Sequence, residues 1–279
     1  MPEGHTIHRL AQECLERFAG WTTRVGSPQG KFADSAALLD GAVLDGVDAH
    51  GKHLFLGFEG RGWVHIHLGL IGKIAFDGDA VTDTVRLRLV GGRHGDQAMN
   101  LRGPAACELI TDGEKQAIHD RLGPDPLRAG DDPGRAYTRI SRSRISVAAL
   151  LMDQKVLAGV GNVYRAEVLF RHGVDPFLPG RALSRPLWDA MWADLVVLMR
   201  EGVRTNRIDT VRPEHEPEAM GRPPRRDDHG GEVYVYRRTG QPCLICGTEV
   251  RTRPLANRNL FWCPTCQPPA PESALAADR

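Results

Sequence analysis

Four cysteines near the C-terminus limit what this chain can fold into more than any other feature. Cys243-Leu244-Ile245-Cys246 and Cys263-Pro264-Thr265-Cys266 are two CxxC pairs separated by 16 residues. Thiolates at this spacing match a tetrahedral four-cysteine zinc site, and four protein ligands leave the metal no open position. One structural Zn2+ held by Cys243, Cys246, Cys263 and Cys266 is therefore expected. The residues between the pairs, 250–262, read as a β-hairpin carrying Arg251, Arg253, Arg258 and Asn259. Cys14 and Cys107 stand alone, so the six cysteines do not form a disulfide framework. A metal cluster of this kind suits an intracellular chain.

A chain of 279 residues suggests one large domain or, more in keeping with its length, two. The N-terminus has no secretory apolar region and no stretch reaches membrane-spanning length, so a cytoplasmic protein is expected. Net charge is only +1, but it is unevenly divided. Residues 1–120 hold 12 Lys+Arg against 16 Asp+Glu, and residues 121–279 hold 24 against 19. The second half thus carries the excess of basic residues that a binding surface for an anionic polymer would use.

Residues 3–19 have the three- and four-residue apolar spacing of an amphipathic helix: Ile7, Leu10, Ala11, Cys14, Leu15 and Phe18. His5 and His8, one turn apart, read as surface or cleft polar residues. Residues 21–110 alternate in the manner of strands, as in 53–58, 63–68 and 85–89, and glycine-rich turns separate the runs. Such spacing suggests a β-sandwich. His65 and His67 share one strand face. With no carboxylate or third histidine at ligand spacing in sequence, packing or hydrogen bonding is their expected role. Lys52 falls in the turn before the strand at 53–58.

Residues 121–135 are rich in Pro, Gly and Asp and read as an interdomain hinge between domains at 1–120 and 136–240. A helix at 146–154, a glycine turn at 157–161 and a second helix capped by Asn162 form a helix–turn–helix type unit. The N-terminus of the second helix would suit a phosphate. A further helix is expected at 186–200, with Ser184 as its N-cap. Residues 209–231 have no apolar period and read as a mobile loop or disordered insert. A zinc finger at 241–267 and a disordered tail at 268–279 complete an α+β chain.

The first residues, Met1-Pro2-Glu3, have two readings. Proline suits a first helical position, and on these residues alone a helix start is the commoner case. If Met1 is removed, however, Pro2 becomes a free secondary amine. Such an amine is partly neutral near pH 7 and able to form an iminium with a sugar aldehyde carbon.

Taken in order, Pro2-Glu3-Gly4, the strand-edge Lys52, the run from Asp153-Gln154-Lys155 to Gly161-Asn162 and the four-cysteine hairpin resemble the formamidopyrimidine-DNA glycosylase / endonuclease VIII family. The resemblance runs over about residues 2 to 267, and the first eight residues look most like its actinobacterial endonuclease VIII branch. It implies a bifunctional DNA glycosylase/AP lyase with a helix–two-turn–helix unit. By that resemblance Pro2 attacks C1′ of a damaged nucleotide, Glu3 handles protons at the opening sugar, and Lys52 assists near the phosphate. Asn162 and Arg258 match phosphate-gripping residues, and Leu70 matches the wedge that fills the flipped base's place. The implied partner is damaged DNA, double-stranded and also single-stranded, bound by a monomer associated with the nucleoid.

The formamidopyrimidine branch carries two further void fillers in an Asp-Pro-Arg-Arg-Phe-Gly hairpin. This chain has Gly103-Pro104-Ala105-Ala106-Cys107 instead. That departure favours oxidised pyrimidines over 8-oxoguanine. The rival expectations are a purine-preferring enzyme of the same family and an inactive zinc-hairpin protein that only binds damaged DNA.

Overall fold

The computed structural model describes residues 2–77, 81–226 and 231–269. Met1, most of the expected tail and residues 227–230 of the expected loop lie outside the described residues. The chain forms two compact units, Met1–Arg121 and Leu122–Arg279.

The first unit opens with α1 (Gly4–Phe18), which buries Ile7, Cys14 and Phe18. Gly20 ends it in the left-handed region, at φ 81°. The elements that follow are β1 (Trp21–Gly26), α2 (Ala33–Leu39), β2 (Val43–His50), β3 (His53–Phe58), β4 (Gly62–His67), β5 (Lys73–Phe76), β6 (Val85–Gly91), β7 (Gln97–Arg102), β8 (Ala106–Ile110) and α3 (Asp112–Arg121). The strands run in the order β5-β7-β6-β1-β2-β3-β4-β8. All pairs are antiparallel, and β1 turns the corner between two sheets. Its Trp21 and Thr22 pair with β2, while Thr23 to Gly26 pair with β6. Leu54, Leu56, Val64 and Ile66 from one sheet meet Leu87, Leu89, Met99 and Leu101 from the other in a single core. This is the expected sandwich, and each such side chain contributes about 1.5–3 kcal/mol when fully buried.

Alternation along the strands leaves the odd-numbered positions of β3 and β4 on the sheet face turned away from that core. In register there, Asp48 lies opposite Phe55, Phe55 opposite His65, and His65 opposite Glu108. Helix α3 covers this face, with Lys115 over the rings of Trp63 and Phe55.

The second unit contains α4 (Pro133–Ile140), α5 (Val147–Leu150), α6 (Asn162–Arg171), α7 (Arg185–Thr205), α8 (Pro217–Met220), β9 (Arg251–Leu255) and β10 (Arg258–Trp262). Its core joins Tyr164, Phe170, Trp188, Met191 and Leu195 of the helices to Leu260 and Phe261 of the hairpin. Ser184 caps α7 as expected, its hydroxyl accepting from the Leu187 N–H at 3.4 Å.

Two expectations need correction. The helix foreseen at 146–154 is only the single turn of α5. The chain then bends back because the Gln154 side chain donates to the Val160 carbonyl at 2.9 Å and accepts from the Gly159 N–H at 3.0 Å. The segment foreseen as mobile is tied down over its described part. Thr210 N donates to the Glu232 carbonyl at 2.8 Å, Arg212 N donates to the Tyr234 hydroxyl at 2.9 Å, and Arg222 pairs with Glu232 at 2.7 Å.

Candidate active site and metal centre

Pro2 precedes α1 and is half-buried, and Glu3 is fully buried. Glu3 is the residue before the helix, with extended backbone (φ −116°, ψ −178°), rather than a member of its first turn. Its carbonyl accepts from the N–H groups of Thr6 and Ile7. A carboxylate wholly removed from water is costly to keep unless it is paired, and the helix start has placed one there. His5, read from sequence as a surface or cleft residue, is buried, and burial pushes its imidazole down to about 4.

Lys52 sits in the two-residue turn of the β2–β3 hairpin, whose closing pair is His50 opposite His53. Gly51 supplies the positive φ, 59°, that such a turn needs at its first position. Helix α1 packs against β2 and β3, the two strands of the hairpin that carries Lys52.

Leu70 lies between β4 and β5 with 55% of its surface exposed, and its neighbour Ile71 is still more open. The loop is closed by the Gly72 N–H donating to the Leu68 carbonyl at 3.0 Å. Gly69 cannot be replaced cheaply. Its φ is +69°, and a Cβ there would meet the Ala105 methyl at 2.8 Å. The β7–β8 connection that supplies Ala105 is only three residues long, Gly103 to Ala105.

Asn162 is the first residue of α6, not its cap. Gly161, in extended conformation, occupies the cap position. The Asn162 side chain is drawn inward, its amide donating to the Asn259 carbonyl at 3.0 Å while its oxygen accepts from the buried Arg165 guanidinium. The helix start is thereby joined to β10, one residue from Arg258. Arg258 is partly exposed, and its guanidinium donates to the Asn257 carbonyl at 2.9 Å. The hairpin turn, Ala256-Asn257, has both residues at positive φ, 51° and 58°, which matches the right-handed twist of the strands.

The four cysteine sulfurs converge, with all ligand atoms within 4.8 Å of one another. Cys243 Sγ lies 3.8 Å from Cys266 Sγ, and Cys246 Sγ lies 3.4 Å from Cys263 Sγ. Both spacings are far beyond a disulfide bond of about 2.05 Å. A tetrahedral zinc with bonds of about 2.3 Å would hold sulfurs about 3.8 Å apart, so the donor set fits the ion in chemistry and in spacing. Gln267 docks this centre on the helices: its amide donates to the Val174 carbonyl at 2.9 Å and its oxygen accepts from the Cys263 N–H at 3.1 Å.

One cluster was not legible in the order of residues. His65 does have a carboxylate and a second histidine beside it, both supplied by neighbouring strands. His65 Nδ1 lies 2.8 Å from Glu108 Oε1, and His65 Nε2 lies 2.8 Å from His53 Nδ1. The foreseen hydrogen-bonding role stands, but with partners that only strand register brings together.

Comparison with known proteins gives these features a common setting. Residues 1–102 match the model of the formamidopyrimidine-DNA glycosylase N-terminal domain, 122–212 that of its H2TH domain, and 240–269 a zinc finger found in FPG and IleRS. The chain is 51% identical to Endonuclease 8 1 of Mycobacterium tuberculosis over 96% of its own length and all of the relative's. It is 34% identical to probable endonuclease 8 2 of Streptomyces coelicolor over 97% of this chain and 96% of that one. Among solved structures, the MutM (FPG) protein from Thermus thermophilus is 27% identical, with a TM-score of 0.73 over 97% of this chain and all of that one. Among the described residues no helix is long and apolar enough to cross a membrane. Three consecutive domain matches and full-length relatives show that the chain belongs to the formamidopyrimidine-DNA glycosylase and endonuclease VIII family, enzymes of base excision repair that act as DNA glycosylases and AP lyases.

Proposed function

We propose that this enzyme excises oxidised pyrimidines from damaged DNA through a covalent intermediate on Pro2. The observation that carries the reading is the start of the chain: Pro2 stands immediately before α1, next to a carboxylate, Glu3, that is completely buried. With Met1 removed, the Pro2 amine attacks C1′ of the flipped nucleotide and the glycosidic bond breaks. The resulting iminium acidifies the C2′ hydrogen. Loss of that proton expels the 3′ phosphate, and a second elimination expels the 5′ phosphate, leaving a gap with phosphates at both ends. Glu3 serves as the proton-handling group at the sugar, and Lys52 assists beside the phosphate.

Extruding the base costs a few kcal/mol, less where a lesion has already weakened pairing. Leu70, on its exposed loop, is suited to occupy the void. The three-residue β7–β8 connection, with glycine, proline and alanine, offers no side chain long enough to join it there. That shortage supports a pyrimidine preference, and so does the higher identity to the endonuclease 8 relative than to a formamidopyrimidine-DNA glycosylase of Desulfitobacterium hafniense, at 30%. Asn162 and Arg258 act as phosphate contacts. One structural Zn2+ on the four cysteines would fix the hairpin that carries Arg258 and take no part in the reaction.

Borohydride trapping across a panel of lesion oligonucleotides, single- and double-stranded, tests the reading. Reducible adducts are expected with thymine glycol and dihydrouracil. Strong cleavage of 8-oxoguanine opposite cytosine, with none of thymine glycol, would reverse the substrate assignment.

A further inference from the structure

The outer sheet face under α3 is unusually rich in titratable rings. His53, His65 and His67 occupy it from β3 and β4, and His50 and His119 stack beside them with ring centroids 5.1 Å apart. The rings are ordered by hydrogen bonds into two chains. One runs from Glu108 to His65 to His53, with 2.8 Å at each link. The other runs from Asp48 to His119 at 3.3 Å and on to His50 at 2.9 Å. Their inner ends, His53 and His50, are the two residues that close the turn bearing Lys52. Each of the two chains therefore pairs a carboxylate with two histidines, and each begins beside the same lysine.

The two chains differ at their outer ends. The Asp48 carboxylate is held by Lys115 at 3.0 Å and is only 26% exposed. That end is a closed ion pair. The Glu108 side chain is 56% exposed, while the His65 between it and His53 is 6% exposed. That chain alone reaches water through an open carboxylate across a sealed middle.

We infer that Glu108, His65 and His53 form a proton relay that carries a proton from the foot of the hairpin turn bearing Lys52 to solvent. The inference rests on the lyase reading above, because removal of the C2′ hydrogen liberates a proton at every turnover. Carboxylates are ionised at neutral pH and can only accept. Glu108 therefore fixes His65 with its hydrogen on Nδ1 and a lone pair on Nε2. His53 must then donate from Nδ1, which leaves its own Nε2 as an acceptor. A proton taken up at His53 Nε2 moves the Nδ1 hydrogen to His65 Nε2. The His65 Nδ1 hydrogen passes to Glu108, which releases it to water. Each ring that gains a proton on one nitrogen gives one up from the other, so no charge is stranded, and the two rings must flip back to their starting tautomers before the next transfer.

The surroundings suit transfer rather than storage. Burial, followed by the neighbouring charges of His65, His67, His50 and Arg121, holds His53 down to about 3. His67, whose ring centroid is 5.0 Å from that of His53, is likewise lowered by burial and then by His65 and Lys52. Lys115 and His119 of α3 face the same layer. A ring held neutral in this way can pass a proton only if uptake on one nitrogen and release from the other occur together.

The test uses the full-length protein on a duplex with a preformed abasic site, under single-turnover conditions. His65→Ala should slow strand cleavage by about 100-fold, the lower end of general acid–base contributions. Its pH–rate profile should change shape, added imidazole should restore the rate, and DNA affinity should not change. Glu108→Gln, at a position 56% exposed, should slow cleavage in the same direction. Unchanged rates and pH profiles in both variants would overturn the relay. So would a loss in His65→Ala that tracks weaker DNA binding and ignores imidazole. A wild-type protein that forms no borohydride-trapped adduct would instead overturn the lyase reading itself.

Discussion

Replacing Glu167 by glutamine tests how the segment foreseen as a mobile loop or disordered insert is held at its flanks. Glu167 lies on α6 and is fully buried. One of its oxygens accepts from the N–H groups of Val235 and Tyr236 at 2.9 and 2.8 Å, and the other accepts from Tyr234 N at 2.7 Å and the Thr210 hydroxyl at 2.6 Å. Glutamine keeps the shape. Its carbonyl can still serve Val235 and Tyr236, but its NH2 group then faces two donors. The Thr210 hydroxyl can rotate to accept, whereas the Tyr234 N–H cannot. An orphaned buried N–H costs about 1–3 kcal/mol, and each of the two surviving bonds loses about 1 kcal/mol as its acceptor becomes neutral. The sum is about 3–5 kcal/mol. Urea denaturation of the full-length protein measures it, and hydrogen exchange at Tyr234, Val235 and Tyr236 localises it. A loss below about 1 kcal/mol, within the range of an ordinary single hydrogen bond, would refute the claim that this carboxylate anchors the segment.

Other outcomes follow from the same geometry. Arg258→Ala should weaken binding to any DNA sequence and reduce the slope of log K against log salt by about 0.9, one phosphate's share for duplex DNA; an unchanged slope with altered lesion choice would remove the phosphate role. Chelation should expose the hairpin of residues 251–262 to trypsin at its arginines, because structural zinc contributes folding energy; a hairpin still protected after zinc loss is confirmed would contradict this. Acid should destabilise the first unit. His5 has a folded value of about 4 against 6.5 when unfolded, so its contribution is fully present above 6.5 and lost as the pH falls toward 4. That loss is about 3 kcal/mol, at about 1.4 kcal/mol per unit, and His5→Gln should flatten the dependence.

Much of the fold was readable because local rules and tertiary structure agree. The amphipathic spacing of α1, the alternation of β3, β4 and β6, the Ser184 cap and the CxxC pairs all express contacts made within a short window. What stayed hidden depends on residues distant in sequence. Residues 209–226 have no apolar period of their own, and their anchors are Glu167, Glu232 and Tyr234, all outside the segment. Asn162 has the chemistry of a cap, but Gly161 takes that place and the Asn162 side chain turns toward Asn259, 97 residues away. His65 found its carboxylate across β4 and β8, a pairing that register alone decides. The site residues were legible mainly through resemblance: Pro2 and Glu3 by themselves read as a helix start, and only their company with Lys52 and the zinc hairpin suggests chemistry.

In the proposed reaction the attacking amine is that of Pro2. Lys52 is the natural rival, since it too is an amine able to form an iminium. The direct measurement is mass-spectrometric peptide mapping of the borohydride-trapped protein–DNA adduct, on protein whose intact mass shows Met1 removed. The sugar remnant is expected on the N-terminal peptide at Pro2, and no adduct is expected from protein that retains Met1. A remnant on Lys52, or trapping that persists with Met1 in place, would contradict it.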